Sequence, residues 1–71
     1  MWTLAMRPLD ESHWMVEVYG VQNAQLFMND GQAEAAARRF AETLADAGQT
    51  TRLKVYWPDG TLRGEFVAVR A

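Results

Sequence analysis

The sequence predicts an α+β domain in which one helix packs on one face of a four-stranded antiparallel sheet. Three observations predict it. Apolar residues alternate with other residues along 14–18, an alanine-rich segment without Pro or Gly covers 32–47, and a second alternating segment at 53–57 precedes a Pro-Asp-Gly-Thr turn. The predicted order is therefore β-β-α-β-β. With 71 residues, the chain is expected to form one domain over residues 1–71.

Residues 14–28 are predicted to form the first hairpin. Trp14, Val16 and Val18 share one side of a strand, because successive strand side chains point to opposite faces, and Gly20 ends that strand. Residues 24–28 are expected to return antiparallel across a turn at residues 20–23. The apolar segment 2–6 is expected either to add a short edge strand or to lie across the open face of the sheet.

The helix is predicted over residues 32–47. Asn29 or Asp30 is suited to cap its start, and Gly48 stands where a left-handed C-terminal cap belongs. Spacings of three and four predict one buried apolar stripe, with Phe40 and Leu44 packing on the sheet. The predicted stripe is Ala33, Ala37, Phe40, Leu44 and Ala47.

The second hairpin is predicted from the alternation of residues 53–57, the turn 58–61 and a last strand over 62–70. Gly64 is expected at a bulge or under a large neighbour. The inward residues of the last strand are expected to be Leu62, Phe66 and Ala68. The outward residues are expected to be Arg63, Glu65, Val67 and Val69.

Composition narrows the possible functions. Seven Lys and Arg against nine Asp and Glu give a net charge of -2, which argues against a dedicated duplex-DNA binder. The absence of cysteine excludes disulfides, a thiolate nucleophile and cysteine-based metal sites, and it favours a cytoplasmic location. Charges interrupt every apolar run, so we expect neither an export signal nor a membrane span.

No residue pattern predicts catalysis, so we expect that the chain is not an enzyme. His13 is the only histidine, and it follows Ser12, but neighbouring strand residues point to opposite faces and no third group is evident to orient the imidazole. The acidic residues form no catalytic pair or metal-ligand set, and the glycines match no phosphate-binding motif. We therefore predict no catalytic residue, no cofactor and no metal.

The open face of the predicted sheet is the feature that indicates a function. It mixes large apolar and aromatic groups with charges, and covering it would help a chain of this size, so we predict a protein partner and a homodimer. Arg38, Arg39 and Glu42 on the helix are expected to form a secondary surface. The predicted partner-binding residues are Met15, Tyr19, Arg52, Lys54, Tyr56, Arg63, Val67 and Val69.

The alternative prediction is binding of single-stranded nucleic acid through the same face. Aromatic groups among cations are typical of such surfaces, and residues 52–71 carry a net charge of +2 against -4 for residues 1–51. The residues of this alternative are Tyr19, Arg52, Lys54, Tyr56 and Arg63.

Three motifs resemble a family of short bacterial and phage proteins of unknown function. They are Trp-Met-Val at 14–16, Ala-Glu-Ala at 33–35 and Asp-Gly-Thr-Leu-Arg at 59–63. The resemblance implies the β-β-α-β-β fold and brings no catalytic residues. In size, acidity and lack of catalytic groups the chain is also similar to small phage-encoded inhibitors of bacterial defence systems, including anti-CRISPR proteins, which implies a regulator or inhibitor of a larger protein.

Overall fold

A computed structural model describes residues 1–21 and 24–69. It contains one helix and a five-stranded sheet, with β1 at Trp2–Pro8, β2 at Trp14–Val18, β3 at Gln25–Phe27, α1 at Asp30–Asp46, β4 at Thr51–Tyr56 and β5 at Leu62–Ala68. The α+β class and the two hairpins are as predicted. Of the predicted first turn, Gln22 and Asn23 lie outside the described residues, as does Arg70 of the predicted last strand.

The sheet has five strands rather than four, and it is mixed rather than antiparallel. Its strand order is β3-β2-β1-β4-β5, with β1 and β4 parallel and every other neighbouring pair antiparallel. The first strand therefore lies at the centre of the sheet, and both predicted placements of segment 2–6 are wrong. Leu4, Ala5 and Met6 are fully buried, which is typical of a central strand covered on both faces.

The helix packs through small residues rather than through Phe40. Ala33, Ala37, Ala41 and Ala45 are the buried residues of α1. Of the predicted stripe, Ala33 and Ala37 are buried and Leu44 packs against the core, but Phe40 is 41% exposed and Ala47 is also exposed, so those two members are wrong. The alanines, whose side chain is a single methyl group, allow the helix to approach the sheet closely.

The core is formed by the apolar residues of the three central strands beneath the helix. Its buried strand residues are Leu4, Met6, Val16, Leu53 and Val55, with Leu44 of the helix packed against them. Burial of such side chains contributes roughly 1.5–3 kcal/mol each. Thr51 is the one buried polar residue among the described residues, and its hydroxyl donates to the Gln49 carbonyl at 3.1 Å.

Both ends of α1 are capped as the sequence predicts. The Asn29 side chain accepts the backbone N–H of Gln32 at 2.8 Å. At the other end Gly48, with φ of 85°, donates to the Ala45 carbonyl, and the N–H of Gln49 donates to Leu44, which is the Schellman arrangement. These caps determine where the helix begins and ends, and therefore how β3 and β4 enter the sheet.

A β-bulge interrupts the pairing of β4 with β5. Val55 pairs with Gly64 and Tyr56 pairs with Leu62, so Arg63 is the extra residue. The bulge confirms the first of the two expectations for Gly64. It also rotates the start of β5, so that Leu62 pairs with the outward-facing Tyr56. The predicted inward position of Leu62 is therefore wrong.

Candidate interaction surface

The open face is the side of the sheet turned away from α1. It carries alternate residues of each strand, beginning with Ala5 at its centre, which pairs with Glu17 on one side and Lys54 on the other. Ala5 is fully buried although no helix lies over this face within the described residues. The long side chains of its cross-strand neighbours therefore supply much of the cover.

Ion pairs run across the open face. Arg7 Nε lies 2.9 Å from Glu17 Oε1, and Arg52 Nε lies 3.3 Å from Glu65 Oε1. The ammonium of Lys54 lies 5.8 Å from the centroid of the Tyr19 ring. Arg7, Arg52 and Lys54, the cations of this face in the part of the chain that the structure describes, are thus engaged with a carboxylate or an aromatic ring, which reduces what they can offer to a polyanion.

Tyr19 and Tyr56 adjoin each other on the open face. Burial raises the pKa of Tyr19, and the neighbouring Tyr56 hydroxyl raises it further. Tyr19 as a whole residue is nevertheless 51% exposed. A cavity of about 260 Å³ lies beside the two tyrosines, and Arg7 and Glu17 also line it.

Most of the predicted partner-binding residues share the open face. Tyr19, Lys54 and Tyr56 are close to one another. Met15 pairs with Leu26 at the β3 side of the sheet, and Val67 pairs with Arg52 at the β5 side. Val69 follows directly after β5 and is 63% exposed.

Arg63 does not lie on the open face, because the bulge turns its side chain towards the helix. Its guanidinium makes an ion pair with Glu34 of α1 and lies 5.6 Å from the centroid of the Trp57 ring. Glu34 also accepts from Arg38 at 3.1 Å. Hydrogen bonding by Arg63, with a smaller contribution from Arg38, lowers the pKa of Glu34 below its ordinary value. The outward position predicted for Arg63 is therefore wrong.

β5 forms one outer edge of the sheet, and sequence reasoning missed this edge as a separate feature. Phe66 and Val67 point to opposite sides of β5 and are 38% and 55% exposed. Between α1 and β5 runs a groove of about 190 Å³. Its lining includes Arg38, Glu42, Phe66, Val67 and Ala68. The signal in the sequence is the apolar run 66–69, which is broken by neither Lys nor Pro.

Arg38 connects the helix to this edge. Its guanidinium carbon lies 4.1 Å from the centroid of the Phe66 ring, which is within the range of a cation–π contact. Because the same side chain bonds Glu34, which bonds Arg63, two successive turns of α1 contact β5 through charged groups. The groove therefore combines apolar walls with charges of both signs.

The loop between β1 and β2 brings together the residues closest to a catalytic constellation. His13 Nδ1 lies 3.0 Å from Asp10 Oδ1, and the same oxygen accepts the backbone N–H of Ser12 at 2.8 Å. The Ser12 N–H, followed by the His13 side chain, lowers the pKa of Asp10. The His13 imidazole is thus oriented by the Asp10 carboxylate, which the sequence did not reveal. Ser12 contacts that carboxylate through its backbone N–H.

The described residues hold no group of three or more His, Asp or Glu side chains that could hold a metal ion. Within the same ranges, no helical segment has both the length and the hydropathy needed to cross a bilayer.

Comparison of the chain with protein-family models, with curated proteins and with solved structures gave no match. The resemblance to short bacterial and phage proteins therefore stays a prediction.

Proposed function

We propose that this chain is a non-enzymatic protein-interaction module that works as a homodimer and regulates a larger protein. The observation that carries the proposal is β5, a seven-residue outer strand with exposed apolar side chains on both of its faces. Unpaired strand edges of this kind bind other polypeptide chains, and natural proteins otherwise protect them.

The small size of the chain supports self-association. A domain of about this length buries only about 60% of the surface of its unfolded chain, so it gains proportionately from further burial. The exposed side chains Val67 and Val69, which were predicted to bind a partner, lie on or directly after β5. The inhibitor or regulator role rests on the resemblance to small phage-encoded inhibitors.

The nucleic-acid alternative has less support. A single-strand binding surface needs free cations along the backbone path and exposed rings for base stacking. Here Arg7 and Arg52 are paired with carboxylates, Lys54 lies over Tyr19, and Arg63 contacts the helix. We therefore expect a flat titration when a fluorescent single-stranded oligonucleotide is mixed with the protein at low salt, and saturable binding would contradict this expectation.

Sedimentation velocity over the micromolar range tests the proposal. We expect a reversible shift from monomer to dimer as the concentration rises. The same series in high salt should retain most of the dimer, because burial of apolar groups is not screened by salt as surface charge is. A chain that sediments as a monomer throughout would contradict homodimerisation.

A further inference from the structure

β5 offers a free edge of four regularly paired residues to another strand. Its bulge affects only the start of the strand, and the remainder, residues 65–68, carries one charge. That charge, Glu65, lies 3.3 Å from Arg52 of the neighbouring strand. Beyond the bulge, the edge therefore carries neither an unpaired charge nor a proline, which are two of the devices that prevent a second chain from pairing.

We propose that a second copy of this chain occupies this edge, with the two β5 strands antiparallel about a two-fold axis at Val67. The two five-stranded sheets then form one continuous sheet of ten strands. This inference rests on the proposed function, and it identifies the partner and the register of that same interaction.

The residues of β5 favour this register. A two-fold axis at Val67 places Phe66 opposite Ala68 of the second copy, and Glu65 opposite Val69. A large side chain thus faces a small one on the helix side of the sheet. An axis at Glu65 would instead bring two carboxylates directly opposite each other, which is unfavourable.

The direction of α1 relative to β5 supports the same axis. Glu34 contacts Arg63 and, one turn later, Arg38 contacts Phe66, so the helix and the strand run in the same direction. A further helical turn of four residues advances about 6 Å, which two strand residues match at about 3.3 Å each. Glu42 therefore lies near the level of Ala68, and both residues line the groove that Arg38 and Phe66 also line.

A two-fold axis at Val67 places Phe66 and Arg38 of one copy beside Ala68 and Glu42 of the other. Arg38 of each copy, whose Nε remains bonded to Glu34, then faces Glu42 of the other copy across the joined grooves, so the dimer gains two opposite-charge contacts from one pair of residues. This charge complementarity of the groove with itself is the reason for choosing a second copy over an unrelated strand. The Phe66 rings lie between the charges and fill the space between the helices.

Paired substitutions at the two sheet edges test the interface. Val67→Glu should abolish the dimer because it brings two carboxylates together at the axis, while Arg52, opposite residue 67 in the same chain, compensates the new charge in the monomer. Leu26→Glu on β3 is the matched control, since Leu26 is similarly exposed on the opposite edge. It should sediment as wild type. Circular dichroism checks that both variants are folded.

Single cysteines give a second, covalent readout in this cysteine-free chain. Val67→Cys should form an intermolecular disulfide under mild oxidation, because residues directly opposite each other in antiparallel strands come within disulfide distance. Leu26→Cys should not. A mixture of Glu65→Cys and Val69→Cys should cross-link faster than either variant alone, because the proposed register places these two residues opposite each other.

The proposed contacts between Arg38 of one copy and Glu42 of the other can be tested separately. Arg38→Glu and Glu42→Arg should each dissociate as single variants, and an equimolar mixture of the two should recover the dimer, because only the mixed pair has opposite charges at both contacts.

The possible results separate the inference from the proposed function. A wild-type dimer that Val67→Glu dissociates, with cross-linking at residue 67, supports both. A wild-type dimer that survives Val67→Glu, or that cross-links through residue 26, overturns the β5 interface and leaves the homodimer intact. A wild-type monomer at every concentration overturns the inference together with the homodimeric part of the proposed function.

Discussion

The two outer strands of the sheet differ in length and in what protects them. β3 has three residues and leads within two residues into α1, whereas β5 has seven residues and lies at the margin of the area that the helix covers. Both carry exposed apolar side chains, Leu26 on β3 and Val67 on β5. The difference therefore lies in the length of free backbone, because a three-residue edge offers a partner strand few hydrogen bonds. Exposed apolar groups alone do not identify the interaction surface.

The largest contrast is expected between two phenylalanines, one at each edge. Phe27 of β3 packs against the core, and Phe66 of β5 lies under Arg38 and is more exposed. Phe27→Ala should lower the free energy of unfolding by roughly 2–3 kcal/mol. Phe66→Ala should lower it by only about 1 kcal/mol but should weaken the dimer. Urea unfolding at a concentration where the protein is monomeric measures the first effect, and sedimentation measures the second. Equal losses of unfolding free energy in Phe27→Ala and Phe66→Ala would contradict this expectation.

A smaller effect is expected where β3 meets the helix. Asn29→Ala removes the acceptor for the Gln32 N–H and should cost about 1 kcal/mol of unfolding free energy. It should leave the dimer unchanged, because the N-cap lies on the β3 side. Asn29→Asp, which keeps an acceptor oxygen, is the control and should retain most of the stability. If Asn29→Ala dissociated the dimer, the assignment of self-association to β5 would be contradicted.

The smallest effect concerns the contact between the helix and β5. The pKa of Glu34 is below its ordinary value of 4.5 in the folded protein, so the ionised form is stabilised by folding. This contribution is fully present above the pKa of the unfolded chain and is lost as the pH falls through the folded pKa. The stability difference between wild type and Glu34→Gln should therefore shrink as the pH is lowered below about 4.5. Thermal unfolding across that range measures it.

Arg63→Gln serves as the partner variant, because Arg63 is the main cause of the lowered pKa of Glu34. It should remove a large part of the same pH dependence. A wild-type profile in both variants would show that the ion pair does not stabilise β5 against the helix.

Local patterns predicted the elements that depend on neighbours in sequence. The alternation of Trp14, Val16 and Val18 identified β2, and Asn29 and Gly48 marked the helix ends, because periodicity and caps act over a few residues. The central position of β1 could not be predicted in this way. Its buried residues are consecutive rather than alternating, and its parallel partner β4 is far away in sequence.

Two features of the surface could not be predicted from local patterns, because both depend on contacts between elements that are apart in sequence. The sequence does not show that one extra residue at Arg63 will turn the guanidinium from the open face to the helix, since the bulge depends on pairing with β4. Phe40 fits a helical stripe as well as Ala41 does. Close approach of the helix to the sheet selects the small side chain, and that choice depends on the distance between the two layers.

The parallel pairing of Leu4 with Leu53 constrains the order of events during synthesis. β1 is synthesised before its parallel partner β4, so its apolar side chains are fully covered only after β4 has been made. Until then the sides of Leu4 and Met6 that adjoin Leu53 and Val55 remain uncovered.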